Sequence, residues 1–424
     1  MDQVVLFVCE YLLIQDILSL SVVSKTLHNC LQYFGYVTVT GSFPLSVNRI
    51  KRKFPNLCRL TISSSSHHPR LSLRLVDIVD IVTDSKLRYL ELCSIDLIHS
   101  SSPETLLHNE EVKQNYLTEA KLSNVLCSSY ILYALVRVMR FLRSLQLTSC
   151  PALCDMALSN IAKSLPCLRS FRVDTAFELQ NADLCSGIAN SVMVRDLTVT
   201  RCPRLRHLHS GGWLITCDLS NTGITAECLE DVITTNRNLQ YLSVECCLYL
   251  TEVCINSDSL VRVNTRMCTS LTTMRILSRS LQEVLVRGCL GLSCLDLYVD
   301  RLTALDVSML SALSQLYVTS RALSSLNIVG CPVLMDAMQS LWHSHCEENS
   351  IDSLPLLVCC ECQIVSSRLS HIGVISNSDA PLRRCFSHFN ISLCCPSLLV
   401  FNVKCPMKPD IISKYEMSPI FSPL

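Results

Sequence analysis

Glycine is scarce in this 424-residue chain, at 10 positions, tryptophan occurs twice, and Asp, Glu, Lys and Arg together make up only 17% of the residues. So little glycine excludes a collagen-like chain, and so little charge beside 49% hydrophobic residues excludes an intrinsically disordered one. Neither sign of charge prevails, since 36 basic side chains stand against 36 acidic ones. With no net field to draw a phosphate backbone or an anionic surface, neither nucleic acid nor membrane is an expected partner. A basic run ahead of the first apolar segment is missing. Glu10 and Asp16 come too early for a secretory leader, so the mature chain is expected to begin near Met1. Long uninterrupted apolar runs are absent too. The best candidate, Cys385 to Val403, holds His388, Asn390, Pro396 and Asn402, which a lipid-embedded helix has to desolvate.

Cysteine, by contrast, is abundant. The 27 cysteines are odd in number, follow no export signal and often fall at one recurring position, which points to reduced thiols and a cytoplasmic or nuclear protein. The length suits two or three ordinary domains or one array, because arrays grow by stacking.

That recurring position belongs to a repeat: an apolar residue, two variable, an apolar, one variable, an apolar, two variable, then often cysteine. LRSLQLTSC, from Leu142, is the clearest copy. Matching segments start at Leu168, Val194, Leu239, Leu260, Leu281 and Leu323. Residues two apart in an extended segment point the same way, so Leu145 and Leu147 turn inward while Ser144, Gln146 and Thr148 face out. One coil cannot bury that face alone; stacked coils can.

From Leu142 to Leu168 to Val194 the step is 26 residues, and Leu153, Met156, Ala157, Ile161 and Leu165 recur between strands at helical spacing. From Leu239 the step shortens to 21. A second set, starting at Leu250, Leu271, Leu292 and Leu313, sits midway, which predicts coils with an extended segment on both faces and no room for a helix. Its ninth residues, Asp258, Arg279, Asp300 and Arg321, are expected to align as a ladder of alternating charge. Weaker copies start at Leu57, Leu87 and Leu117, with helices expected at Leu71 to Thr83 and Tyr130 to Phe141 and a polar insertion from Ser100 to Asn115. Beyond Cys331, Val333 to His345 reads as a helix, and the segments from Leu369 and Leu398 as further strands.

The 26-residue unit resembles the cysteine-containing class of leucine-rich repeats. Residues 2–32 are apolar in a helical pattern without glycine or proline, and YLLIQDILSLSVVSKTL, Tyr11 to Leu27, resembles the central part of an F-box. It departs from that pattern at Gln3 and Val4, where leucine–proline is usual, and at Leu27, where tryptophan is common. The bland alternative for these helices is a cap on the first coil.

The expected architecture is an α/β leucine-rich-repeat solenoid, helix-backed early and built of short two-strand coils later, behind a small N-terminal helical module. The ranges are 1–42 for the F-box-like module, 43–345 for the solenoid, 346–404 for irregular repeats or a cap, and 405–424 for a flexible tail. The resemblance implies a substrate receptor of a Skp–cullin–F-box ubiquitin ligase. It implies that Leu6, Leu12, Ile17, Leu18, Leu20, Val22 and Val23 divide between the module's core and a Skp-type adaptor, which brings a cullin. The alternative is a repeat scaffold or inhibitor unrelated to ubiquitin.

The outward strand positions Arg172, Tyr241, Arg262, Asn264, Arg266, Glu283 and Arg287 are candidate contacts for a protein substrate. Arg262, Arg266 and Arg287 are expected close together, suited to an acidic or phosphorylated segment; a solvated strand face is the equal alternative. Cys150, Cys202, Cys247, Cys268, Cys289 and Cys331 read as small side chains packed under a turn. The cluster of Cys359, Cys360, Cys362, Cys394 and Cys395 lacks the paired spacing of a zinc site, and His67, His68, His343 and His345 read as surface residues. No phosphate loop, nucleophile elbow or carboxylate pair stands out, so no catalytic residue, metal or cofactor is expected.

Overall fold

The computed structural model describes residues 35–40, 50, 54–64, 70–84, 86–98, 115–184, 194–320, 322–323, 325–327, 331, 333, 391–394 and 400–402. They divide into two compact units, Met1–Asp218 and Leu219–Leu424. No helix among the described residues is long and apolar enough to cross a membrane.

In the first unit a front ladder runs through Tyr36–Thr40, Arg59–Ser63, Tyr89–Cys93, Glu119–Ser123, Ser144–Thr148, Ser170–Asp174, Asp196–Thr200 and Thr216–Asp218, each strand parallel to the next. Alternate residues turn inward, so Leu60, Leu90, Leu145 and Phe171 bury beside Ile62, Leu92, Leu147 and Val173. Each such side chain stabilises the stack by roughly 1.5–3 kcal/mol. On the other side of the coils lie helices α1 (Leu75–Asp84), α2 (Ser129–Val138) and α3 (Asp155–Ser164), with α1 packed on α2 and α2 on α3. Helix α2 starts where the Ile131 N–H donates to Ser128 Oγ at 3.2 Å, satisfying one orphan donor. Two small parallel pairs, Leu71–Arg74 with Ile95–Ile98 and Asn181–Asp183 with His207–His209, complete the unit.

The second unit opens with α4 (Ala226–Thr235), capped by Thr225, whose Oγ1 accepts the Cys228 N–H at 3.4 Å. Its front ladder comprises Tyr241–Ser243, Arg262–Asn264, Glu283–Leu285, Ala304–Asp306, Ser325–Asn327 and Val400–Asn402. A back ladder comprises Glu252–Asn256, Thr273–Ser278, Cys294–Val299, Gln315–Thr319 and Ile391–Cys394. Leu242, Val263 and Val284 align on the front, and Ile255, Ile276, Leu297 and Val318 on the back, all buried. The step of 21 therefore holds on both faces. Helix α4 packs against Glu252–Asn256, covering the first back strand, whose bare edge is otherwise open to mispairing.

Both units leave the front strand through one residue in the left-handed region: Ser94, Asn124, Ser149, Thr175 and Arg201 in the first, Asn221, Cys246, Met267, Gly288 and Met309 in the second. A non-glycine residue there costs about 1 kcal/mol. Hydrogen bonds to the next coil offset it: the N–H of Asn124 donates to the Thr148 carbonyl at 2.8 Å and that of Met267 to the Arg287 carbonyl at 3.0 Å.

Several expectations are corrected. Leu71–Arg74 is strand, because Leu71 and Leu73 alternate inward, and the helix begins only at Leu75. Met156 is 75% exposed; the buried stripe of α3 is Ala157, Leu158, Ile161 and Ala162. Tyr36–Thr40, inside the range read as a helical module, is the first front strand. The Arg279 guanidinium makes no ion pair among the described residues; Asp258 Oδ1 instead accepts the Arg279 backbone N–H at 3.2 Å, a donor the turn leaves unsatisfied. Arg321 lies outside the described residues, as do residues 1–34, the insertion from Ser100, the segment from Leu369 and the tail 405–424.

Candidate protein-binding faces

On the outward face of the first unit, register places Tyr36, Arg59 and Tyr89 side by side, with Thr61, Glu91 and Lys121 on the next outward row. The Arg59 guanidinium lies 4.0 Å from the centre of the Tyr89 ring. The Tyr89 hydroxyl donates to Glu91 Oε2 at 2.9 Å, and Lys121 Nζ reaches Glu91 Oε1 at 2.9 Å. Burial alone would raise the Glu91 pKa, but hydrogen bonds from Lys121 and Tyr89 hold it below the ordinary carboxylate range. Burial, then the bond to Glu91, pushes the Tyr89 hydroxyl up. Arginine and tyrosine supply large contact area, and this network holds them in place before any partner arrives, which lowers the ordering cost of binding. Arg59 lies 30 residues from Tyr89 and Glu91 30 from Lys121, so no local sequence pattern reveals the network. Arg172 is exposed on the same face, in the row of Lys121 and Gln146.

At the C-terminal end of strand Ser170–Asp174, Asp174 accepts hydrogen bonds from Thr200 Oγ1 at 3.0 Å and Arg201 Nε at 2.7 Å. Burial opposes its charge, yet the arginine and threonine hold its carboxyl below the ordinary range. This bracket ties neighbouring coils.

The remaining predicted contacts belong to the second unit. Tyr241, Arg262 and Glu283 share one outward row. Arg262 Nε meets Glu283 Oε2 at 3.1 Å, so that cation is already paired with a carboxylate of the candidate set. Asn264 is a brace: its Nδ2 donates to Ser243 Oγ at 3.1 Å and Glu245 Oε2 at 3.0 Å, and its Oδ1 accepts the Arg266 N–H at 3.2 Å. Arg266 and Arg287 occupy equivalent exposed positions beyond the strands, since Met267 N–H reaches the Arg287 carbonyl and Cys246 N–H that of Arg266. The expected trio of cations is thus reduced to a pair. Leu6, Leu12, Ile17, Leu18, Leu20, Val22 and Val23 lie outside the described residues.

The recurring thiols are buried and donate to carbonyls, most of them of the preceding coil. Cys268 Sγ lies 3.0 Å from the Val244 oxygen, Cys289 Sγ 2.9 Å from that of Thr265 and Cys331 Sγ 3.1 Å from that of Val307. Burial pushes Cys202, Cys289 and Cys331 up to about 11 and raises Cys150 and Cys268 as well. Thiols so far from ionisation make poor nucleophiles and poor ligands. No cluster of three metal-ligating side chains occurs among the described residues. Cys394 ends a back strand, and Cys359, Cys360, Cys362 and Cys395 lie outside the described residues.

No family model matches the chain, and no curated protein does. Among solved structures it is similar to one of a Rad7 and Elc1 complex in yeast, at 16% identity over 71% of this chain and 78% of that one, with a TM-score of 0.30. It is also similar to a TLR13–ssRNA13 complex, at 15% identity, 66% and 51% coverage and a TM-score of 0.33. A third is an internalin of Listeria monocytogenes, at 14% identity, 74% and 87% coverage and a TM-score of 0.32. The assignment of each unit as a leucine-rich-repeat solenoid rests on its own ladders and buried leucines.

Proposed function

We propose that this chain is a protein-binding subunit that performs no catalysis itself: its solenoid faces hold a target protein, and its N-terminal helices dock a Skp-type adaptor and, through it, a cullin. The observation that carries the first half is the pre-organised Arg59–Tyr89–Glu91–Lys121 face, whose residue types concentrate binding energy. The second half is supported by the F-box-like pattern from Tyr11 to Leu27. The chain's contribution is proximity, which raises the effective concentration of target lysines at an enzyme supplied by other subunits.

A scaffold reading, with residues 1–34 as a cap, is favoured by one feature: among the described residues Tyr36–Thr40 is paired on one side only, and an open ladder edge calls for a cover. Co-purification of the full chain with an adaptor and cullin separates the two. The ligase reading expects both to be recovered, and to be lost on Ile17→Asp or Leu20→Asp with the circular dichroism of the repeats unchanged. Recovery of neither with the wild-type chain contradicts it.

A further inference from the structure

One position of the repeat has no role in the faces above. Arg88, Arg143, Arg169 and Arg195 each occupy the residue just before, or opening, a front strand of the first unit. The Arg143 N–H donates to the Thr118 carbonyl at 2.8 Å, the Arg169 N–H to that of Arg143 at 2.8 Å, and the Arg195 N–H to that of Arg169 at 2.7 Å; Arg88 lies one coil before Thr118, whose N–H it accepts at 2.9 Å. Arg143, Arg169 and Arg195 thus succeed one another at the strand spacing of about 4.8 Å. All four side chains are exposed.

Four other arginines of the unit sit with acids, among them Arg74 with Asp77 at 2.8 Å and Arg204 with Glu178 at 3.1 Å, while Arg59 and Arg140 lie over aromatic rings. Among the described residues none of the four on this row has a carboxylate partner, although Glu119 and Asp196 stand on the adjacent outward row. The Asp196 carboxylate accepts the Thr216 hydroxyl at 2.8 Å. Like charges at directly opposed positions of neighbouring strands destabilise a sheet, so the unliganded fold carries a repulsion that a bound anion removes. Beside the row lie two exposed aromatic rings, Tyr116 and Phe141, at equivalent positions of neighbouring coils, 57% and 41% exposed. The Arg140 guanidinium stacks 5.3 Å from the Phe141 ring.

We infer that this row docks an extended acidic segment of a protein partner, carboxylates on the arginines and an apolar residue against Tyr116 and Phe141. The inference rests on the protein-binding reading and names the chemistry of one partner. The two coil steps from Arg143 to Arg195 cover about 10 Å, the length of three residues of extended chain. Arg143, Arg169 and Arg195 lie in a line, one per coil, which matches a row of monoanions; a phosphate group calls for donors converging on one point. The zero net charge of the chain leaves no broad field for nucleic acid.

The test uses the full chain and fluorescein-labelled 12-residue probes. One carries four consecutive Asp/Glu residues followed by Leu-Phe, a second replaces the acids with Asn/Gln, a third replaces them with phosphoserines, and a fourth is a single-stranded oligonucleotide. The acidic probe should bind at least about tenfold tighter than its amide counterpart. The triple variant Arg143→Gln, Arg169→Gln, Arg195→Gln should lose that difference, and Lys163→Gln, on α3, should keep it. Separately, Arg169→Glu should raise the melting temperature of the free protein by placing an acid between two arginines.

Tighter binding of the phosphopeptide or the oligonucleotide than of the acidic probe overturns the inference, as does unchanged binding by the triple variant or a fall in melting temperature for Arg169→Glu. Adaptor recovery read on the same samples keeps the two proposals apart. Recovery without acidic-probe binding sinks this one alone, and acidic-probe binding without recovery sinks only the ligase reading.

Discussion

The two units bury the same apolar strand face with different lengths of chain. In the first, leucines opening successive front strands, from Leu57 through Leu87, Leu117, Leu142 and Leu168, lie 25 to 30 residues apart, and the return paths after Leu57, Leu117 and Leu142 hold helices of 10 residues. In the second the step is 21 from Leu239 to Leu323, and the return path between those residues is a second strand of 5 or 6 residues. A ten-residue helix spans about 15 Å and can shift along its neighbours as ridges slide in grooves. A back strand is tied residue by residue to the coils on either side. Variable length is thus compatible with helical backing, whereas a constant step keeps the two ladders from Leu239 to Leu323 in register together.

The largest effect expected from that difference is on insertions. One glycine inserted between Thr269 and Ser270, in the turn joining front and back strands, throws Leu271, Met274 and Ile276 out of register and should cost on the order of 4 kcal/mol or more. One glycine inserted between Pro166 and Cys167, in the turn after α3, should cost about 1 kcal/mol or less. Urea unfolding of both variants measures the contrast, and equal losses break it.

Alkaline pH should act next most strongly, and more on the second unit, which among the described residues holds five thiols raised by burial, Cys246, Cys268, Cys289, Cys294 and Cys331, against Cys127, Cys150 and Cys202 in the first. Burial raises these thiols in the fold, to about 11 for Cys289 and Cys331, while an unfolded thiol ionises near 8.5. Their stabilisation is therefore complete below about 8.5 and is lost as pH climbs toward about 11, because the unfolded chain gives up protons that the folded one keeps. Urea unfolding followed by limited proteolysis at pH 8 and 10.5 should show the second unit losing more, and Cys268→Ala should reduce that loss.

The smallest effect belongs to the back turn. Because Arg279 has no ion pair among the described residues, Arg279→Glu should change stability by less than about 0.5 kcal/mol in the same urea titration. A larger loss, rescued by Asp258→Arg, restores the charge ladder.

The period of 21 was readable because Leu242, Val263 and Val284 repeat without a gap, and period alone fixes which residues stack. Thr216–Asp218 was hidden, since three residues with one apolar member carry no alternation to detect. Leu71–Arg74 ran straight into a helix, and its period of two was absorbed into a period of 3.6. Among candidate contacts, the Arg59–Tyr89 stack needs a register between strands 30 residues apart, which composition does not reveal. The arginine row was open to view, because the segments from Leu87, Leu142, Leu168 and Val194 all have arginine as their second residue. What the sequence withholds there is the absence of acid partners, a property of the folded surface.

The most direct test of this account is amide hydrogen exchange resolved to short peptides. Two simultaneous ladders require Val253–Asn256, Thr273–Ser278 and Cys294–Val299 to exchange as slowly as the front strands they alternate with. If those back segments exchange at the rate of the turns while the front strands stay protected, the 21-residue coils are held on one face only, and the contrast between the units is wrong.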